Sequence, residues 1–157
     1  GQDVTAGEAG ELYLRGDHVM IGYLNNPDAT AATIDSDGWL HTGDLAVVDD
    51  DGWFRVVARL KEIIKYKGYQ VAPAELEALL LEHPQVADCA VIGRPDDEAG
   101  EIPVAVIVAA SGNLDADDVM QYIADRVAPY KRIRRVEVTD EIPKSPSGRI
   151  LRRLLEA

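Results

Sequence analysis

Ala58 to Glu77 reads ARLKEIIKYKGYQVAPAELE. Two short β-favouring runs, Ile63 to Lys65 and Tyr69 to Val71, flank a turn at Gly68. Pro73 then opens a helix in which Leu76, Leu79 and Leu80 recur at helical spacing. Strand, turn, strand and helix in so short a span predict a compact mixed domain, and the pattern continues downstream. Strands are expected at Cys89 to Ile92 and Val104 to Val108. Asp115, with Asp118 three positions on, opens an amphipathic helix carrying Val119, Ile123 and Val127 on one face. A strand at Arg135 to Val138 and a short helix at Ile150 to Leu155 complete an α+β unit of about 100 residues.

Upstream of Ala58 the character changes. Short apolar runs at Glu11 to Leu14, Trp39 to His41, Ala46 to Val48 and Phe54 to Ala58 alternate with Gly and Asp turns, which is the pattern of a β-rich segment. Asn26-Pro27 supplies an N-cap and a proline at the first helical position, predicting a short helix over Asp28 to Thr33. Asp49-Asp50-Asp51-Gly52 reads as a hairpin loop; it lacks the ligand spacing of a calcium loop, and no metal site is expected.

Charge narrows the possible partners. A formal net charge of -12 argues against general nucleic-acid binding, because duplex affinity comes largely from cations that neutralise phosphates. Residues 1–58 hold 11 acids and 2 bases, a balance of -9, and residues 59–157 hold 17 acids and 14 bases, a balance of -3. The cations able to meet a phosphorylated ligand therefore lie almost entirely after Ala58. No apolar run approaches the roughly 20 residues that span a bilayer, and no basic-then-apolar leader opens the chain. A lone cysteine, Cys89, cannot close an internal disulfide and falls in an apolar run, so a buried thiol and a cytoplasmic setting are expected.

Three segments have residue types suited to chemistry, and each also has a plain structural reading. His41-Thr42-Gly43-Asp44 lies between two predicted strands, where a glycine permits close backbone approach and an aspartate can accept hydrogen bonds from a diol; it also reads as an ordinary turn. Lys61, Lys65 and Lys67 have the even spacing that places side chains on one strand face, either as a solvated edge or as a strip facing phosphate or carboxylate, with Arg59 nearby as a planar fork. Ile142 to Arg149, IPKSPSGR, is a breaker-rich loop leading into a helix, suited to an anion or simply to helix entry.

In combination these segments resemble the adenylate-forming superfamily of acyl-CoA synthetases, nonribosomal adenylation domains and beetle luciferases. The resemblance is carried by GELYLRG (Gly10 to Gly16), GYLNNPDAT (Gly22 to Thr30), DGWLHTGDL (Asp37 to Leu45), RLKEIIKYKGYQVAPAELE (Arg59 to Glu77) and PKSPSGRILRR (Pro143 to Arg153). KYKGYQVAPAELE is most similar to the 4-coumarate-CoA ligase and luciferase branch.

The resemblance implies a division into residues 1–60, the β-rich end of a large N-terminal domain, and residues 61–157, a small mobile α+β lid. It implies an acid–thiol ligase that uses ATP, Mg²⁺ and CoA on a small-molecule carboxylic acid, with the Mg²⁺ ligands elsewhere. Asp44 would bind the ribose hydroxyls of ATP, and Arg59 the same ribose or its phosphate. Lys61 would be the hinge between the adenylating and thioester-forming orientations. Lys65 and Gln70 would assist the reaction, and Lys67, Gly68 and Tyr69 would border the pantetheine channel, where the missing Cβ of Gly68 lets ligand and backbone come close.

Two departures qualify this. Arg149 stands where the family pattern has the lysine that contacts carboxylate and α-phosphate during adenylation, so a weakened first half-reaction is expected. Ala58 stands where an acid commonly precedes the arginine. The chain also carries neither the Gly/Ser/Thr-rich phosphate loop nor the acyl pocket that the family has upstream; it reads as a piece needing the remainder of the N-terminal domain and inactive alone. Other branches, luciferase-like or carrier-protein-loading, and a non-catalytic binding or regulatory homologue are the alternatives.

Overall fold

A computed structural model describes residues 3–155. The chain falls into two compact units, Gly1–Lys61 and Glu62–Ala157.

The first unit is a three-stranded antiparallel sheet in the order β1 (Ala9–Leu14), β2 (Leu40–Val48), β3 (Phe54–Arg59). Helix α1 (Pro27–Thr33) begins where the sequence places it: the Asn26 side chain accepts from the Ala29 amide, and Pro27 occupies the first turn. The Asp-Gly turn joins β2 to β3. Asp49 closes it by accepting from the Asp51 and Trp53 amides, while Gly52 takes φ 85°.

One expectation fails in this unit. The runs at Trp39 to His41 and Ala46 to Val48 are not two strands around a turn: from Leu40 onward they belong to the single strand β2, with His41 to Asp44 inside it. Pairing keeps the strand continuous on both sides, and the extra residues are absorbed as an irregularity in the β1 register between Glu11 and Tyr13.

The second unit is built on a five-stranded sheet. Its order is β5 (Tyr69–Val71), β4 (Ile64–Tyr66), β7 (Gly100–Ala109), β6 (Val86–Asp96), with β8 (Arg135–Val138) parallel to β7. β6 and β7 run well past the apolar cores that marked them in the sequence and pair from Val86↔Ala109 to Asp96↔Gly100. Both faces of this hairpin are covered, which is why its apolar runs are continuous rather than alternating.

Alternate residues serve the two faces. Cys89, Val91, Ala105 and Ile107 pack against α2 (Pro73–Leu81) through Leu76 and Leu80 and against α3 (Ala116–Ala124) through Val119 and Ile123. Ala90, Ile92, Val104 and Val106 face the other way and are covered by Ile142, Ile150 and Leu155. The segment after β8 thus closes the second face. Its last element is shorter than the sequence suggests: Ile150 to Leu155 forms only a 3₁₀ turn at Arg152–Leu154. Asp115 caps α3 by accepting from the Asp117 and Asp118 amides.

Cys89 is 2% exposed, and its Sγ donates to the Glu77 carbonyl at 3.6 Å. Burial, reinforced by the nearby carboxylates of Glu77 and Asp88, pushes its thiol up to about 12. Reactivity follows the thiolate. The native protein is therefore expected to resist iodoacetamide at pH 8 and to be alkylated once unfolded by guanidinium; rapid native labelling contradicts this packing. The associated stability is fully present below the unfolded thiol value of about 8.5 and is lost as pH rises from there through the folded value.

Candidate functional site

In the first unit Asp44 and Arg59 are brought together by strand register. They face each other across β2 and β3, and Arg59 Nε donates to Asp44 Oδ1 at 2.9 Å. The irregularity in β2 sets their position. Thr42 Oγ1 donates to the Leu12 carbonyl at 2.7 Å and accepts from the Asp44 amide at 3.1 Å, while the Gly43 amide donates to Glu11 Oε1 at 3.1 Å. Gly43 adopts φ 70°, a conformation that side chains rarely tolerate. Bulges re-aim side chains in this way, and here the three residues Thr-Gly-Asp form a fixed kink with a carboxylate at its end. Asp44 is 23% exposed. A carboxylate offers about four acceptor positions, so the Arg59 contact leaves capacity for hydroxyl donors. Beside this kink, His41 stacks on Tyr13 with centroids 3.9 Å apart and meets Asp35 at 3.4 Å.

In the second unit the β4–β5 hairpin carries most of the remaining candidates. Lys65 and Gln70 are register partners and so lie side by side on one face of the hairpin. The Lys65 amide donates to Glu101 Oε2 at 2.7 Å, and Lys65 is exposed. The turn between the strands is Lys67-Gly68 with φ 48° and 82°, the pair of positive values that a two-residue type I′ hairpin requires. A Cβ at Gly68 would meet nothing within 4 Å, so its glycine is demanded by backbone angle, and the space above it is open. Tyr69 is fixed by stacking on Tyr130 at 4.5 Å between centroids.

The even spacing of Lys61, Lys65 and Lys67 does not place them on one strand face. Lys61 lies in a 3₁₀ turn, Leu60–Glu62, that precedes β4, and Lys67 is in the left-handed turn; only Lys65 is a strand residue. Two breaks in the extended backbone undo the two-residue period.

Arg149 belongs to a different segment of the second unit. It lies in an exposed turn closed by the Ser145 amide donating to the Arg149 carbonyl at 2.8 Å, the Arg149 amide to Ser145 Oγ at 3.1 Å, and the Gly148 amide to the Ser145 carbonyl at 2.8 Å. Lys144 bridges to Ile150, making Pro143 to Leu151 a small hairpin rather than a helix entry. Among the described residues no hydrogen bond or ion pair joins Arg149 to Lys65 or Gln70. Nor do the described residues contain a cluster of His, Cys, Asp or Glu able to hold a metal ion, or a helix long and apolar enough to cross a membrane.

The family profile described as AMP-binding enzyme C-terminal domain matches residues 75–149. The chain is 58% identical over 154 residues to a probable CoA ligase of Humulus lupulus, covering 98% of this chain and 28% of that protein. It is 55% identical over 159 residues to 4-coumarate–CoA ligase 1 of Glycine max, covering 100% of this chain and 54% of that protein. The chain resembles adenylate-forming CoA ligases over its whole length. Among solved structures it is similar to ATP-bound MatB from Rhodopseudomonas palustris, with a TM-score of 0.92, 29% identity, and coverage of 99% of this chain and 31% of that one. It is also similar to o-succinylbenzoate CoA synthetase of Bacillus subtilis in complex with an acyl-adenylate, at 34% identity and a TM-score of 0.88, covering 98% and 31%. The chain thus spans 28% to 54% of the length of these curated relatives.

Several residues that shape the site are silent in the sequence. Tyr130 fixes Tyr69 across 61 positions of chain, and Lys131 beside it bonds both oxygens of Glu75 at 2.8 and 2.7 Å. Arg152, in the 3₁₀ turn after the Arg149 hairpin, donates to Glu62 at 2.7 Å and to both oxygens of Glu77 at 2.6 and 2.9 Å. The motifs containing Glu77 and Arg152 are conspicuous in the sequence, but nothing in either one announces the other. Ion pairs across such separations are a product of topology.

Proposed function

We propose that this chain is the C-terminal portion of an AMP-forming acyl- or aryl-CoA ligase of the 4-coumarate-CoA ligase type. Residues 1–60 end its large N-terminal domain, and residues 61–157 form a mobile lid that turns at Lys61. The single observation that carries the reading is the Thr-Gly-Asp kink: a glycine-dependent bulge spends several backbone and side-chain bonds on presenting one carboxylate beside one guanidinium. Bulges that re-aim a side chain in this way are over-represented next to active sites.

The first half-reaction forms a bond from a carboxylate oxygen of the acid to the α-phosphorus of ATP and breaks the bond to pyrophosphate, which leaves with Mg²⁺. In the second, CoA thiolate attacks the acyl carbonyl and AMP departs. Asp44 accepts from the ribose hydroxyls, and Arg59 reaches the ribose or its phosphate. Arg149 faces the carboxylate and α-phosphate in the adenylating orientation, where stabilising developing charge is the main contribution a protein can make. Lys65 and Gln70 assist from their shared hairpin face, and Lys67, Gly68 and Tyr69 border pantetheine during thioester formation. A lid that supplies different residues to successive steps makes its own rotation a candidate for the slow step. The unpaired, buried Cys89 suits a cytoplasmic location.

The test is reconstitution. The full-length protein with ATP, Mg²⁺, CoA and a panel of aryl and fatty acids is expected to release AMP and pyrophosphate and to yield the thioester, while residues 1–157 alone yield none. Tight AMP binding without turnover across the panel would replace this reading with that of a non-catalytic homologue; thioester made by residues 1–157 would refute the division of labour between the units.

A further inference from the structure

Arg149 sits in a turn whose internal bonds fix its shape but not its place. Ser145 closes that turn from both sides, the Leu151 amide donates to the Pro143 carbonyl at 2.8 Å, and Ile142 and Ile150 rest the base of the hairpin on the β6–β7 face. Each end carries a cation. Lys144 pairs with Asp88 of β6 at 2.6 Å, and Arg152 follows the hairpin on the other side.

The two anchors are unequal. The Lys144 side chain is 38% exposed, and an exposed pair made by a flexible ammonium defines position poorly. The Arg152 side chain is 13% exposed and reaches three separate segments. Its Nη1 donates to Glu62 at 2.7 Å, its Nη2 to both oxygens of Glu77 on α2, and its Nε to the Val91 carbonyl of β6 at 3.3 Å. Glu77 is itself fixed, accepting from the Val91 amide at 2.8 Å. A planar guanidinium held at all three nitrogens has one orientation, which an ammonium cannot reproduce.

We propose that Arg152 is a positioning residue for Arg149: clamped by Glu62, Glu77 and the Val91 carbonyl, it fixes where the 143–151 hairpin rests and so where Arg149 is presented during adenylation. The inference rests on the role of Arg149 given under Proposed function. Glu62 adds a second consequence. It follows Lys61 directly in the same 3₁₀ turn, so the clamp joins the residue next to the proposed hinge to the hairpin that carries Arg149, and rotation at Lys61 moves Glu62, Arg152 and the hairpin as one body.

Complete removal of a guanidinium from between two partly buried carboxylates leaves charge uncompensated and endangers folding. Arg152→Lys and Glu62→Gln are the better variants, made in the full-length protein in both the native and the Arg149→Lys background. Arg152→Lys is expected to lower the turnover rate of carboxylate-dependent ATP–pyrophosphate exchange by about ten-fold or more, since small displacements of a reacting group are costly. The KM for ATP, and thioester formation from supplied acyl-adenylate and CoA, should stay within about two-fold of the parent, and Glu62→Gln should show the same split more weakly. Equal losses in both half-reactions, or unchanged pyrophosphate exchange, would overturn the proposal. Amide hydrogen exchange supplies an arm independent of catalysis: the Ser145, Gly148 and Arg149 amides should exchange faster in Arg152→Lys while those of β6 and β7 do not change. Unaltered protection of those three amides overturns the clamp. If neither parent catalyses pyrophosphate exchange, the functional reading fails, and amide protection alone decides the clamp.

Discussion

Replacing Asp44 with alanine in the full-length protein is expected to lower kcat/KM for ATP in adenylation by about 10²-fold or more. Two hydrogen bonds from ribose hydroxyls to an ionised carboxylate contribute roughly 1.5–3 kcal/mol each, and every 1.36 kcal/mol is a factor of ten. Loss of the carboxylate also leaves Arg59 without its 2.9 Å partner. The folded state should hardly notice, because the Arg59 side chain is 46% exposed and such pairs contribute at most about 1 kcal/mol to stability. Asp44→Asn keeps an acceptor and should fall between wild type and alanine. Calorimetric titration with ATP, beside a thermal melt, separates the two effects. An alanine variant with native ATP affinity would remove Asp44 from the site.

The second large effect is a gain. Arg149→Lys is expected to raise carboxylate-dependent ATP–pyrophosphate exchange by about ten-fold or more while leaving thioester formation from supplied acyl-adenylate unaltered. A compact ammonium and a wide planar fork present their charge differently, and at a crowded transition state the difference is not conservative. The substitution is structurally mild. Arg149 is exposed and holds its turn through main-chain atoms that bond Ser145, which lysine preserves. Exchange that stays flat, or drops, would mean that arginine is the working residue here and that the departure from the family pattern is not a defect.

How much of this was legible beforehand depends on the range of the interaction. Elements governed by near neighbours appear where the sequence puts them: α1 behind Asn26-Pro27, the Asp49 hairpin, α2 from Pro73 and α3 from Asp115. Errors arose where local rules met a tertiary constraint. His41 to Asp44 carries turn residues, yet pairing with β1 and β3 keeps it inside one strand and converts the glycine into a bulge. The lysines after Arg59 keep an even period through a 3₁₀ turn and a type I′ turn, which cancels their common face. The C-terminal run is helical in pattern but becomes a single 3₁₀ turn, because Ile150 and Leu155 must cover the sheet while Arg152 turns inward.

The resemblance to adenylate-forming enzymes, the α+β class and the candidate side chains were legible in the chain alone, since motifs and hydrophobic period are properties of neighbouring residues. Tertiary structure decided which of those side chains meet. The Asp44–Arg59 pair comes from strand register, the Tyr69–Tyr130 stack from a 3₁₀ turn laid beside a hairpin, and the Arg152 clamp from three segments converging on one guanidinium. Contacts between residues far apart in the chain carry no local signature, because each partner satisfies its own segment's pattern equally well whether or not the other arrives.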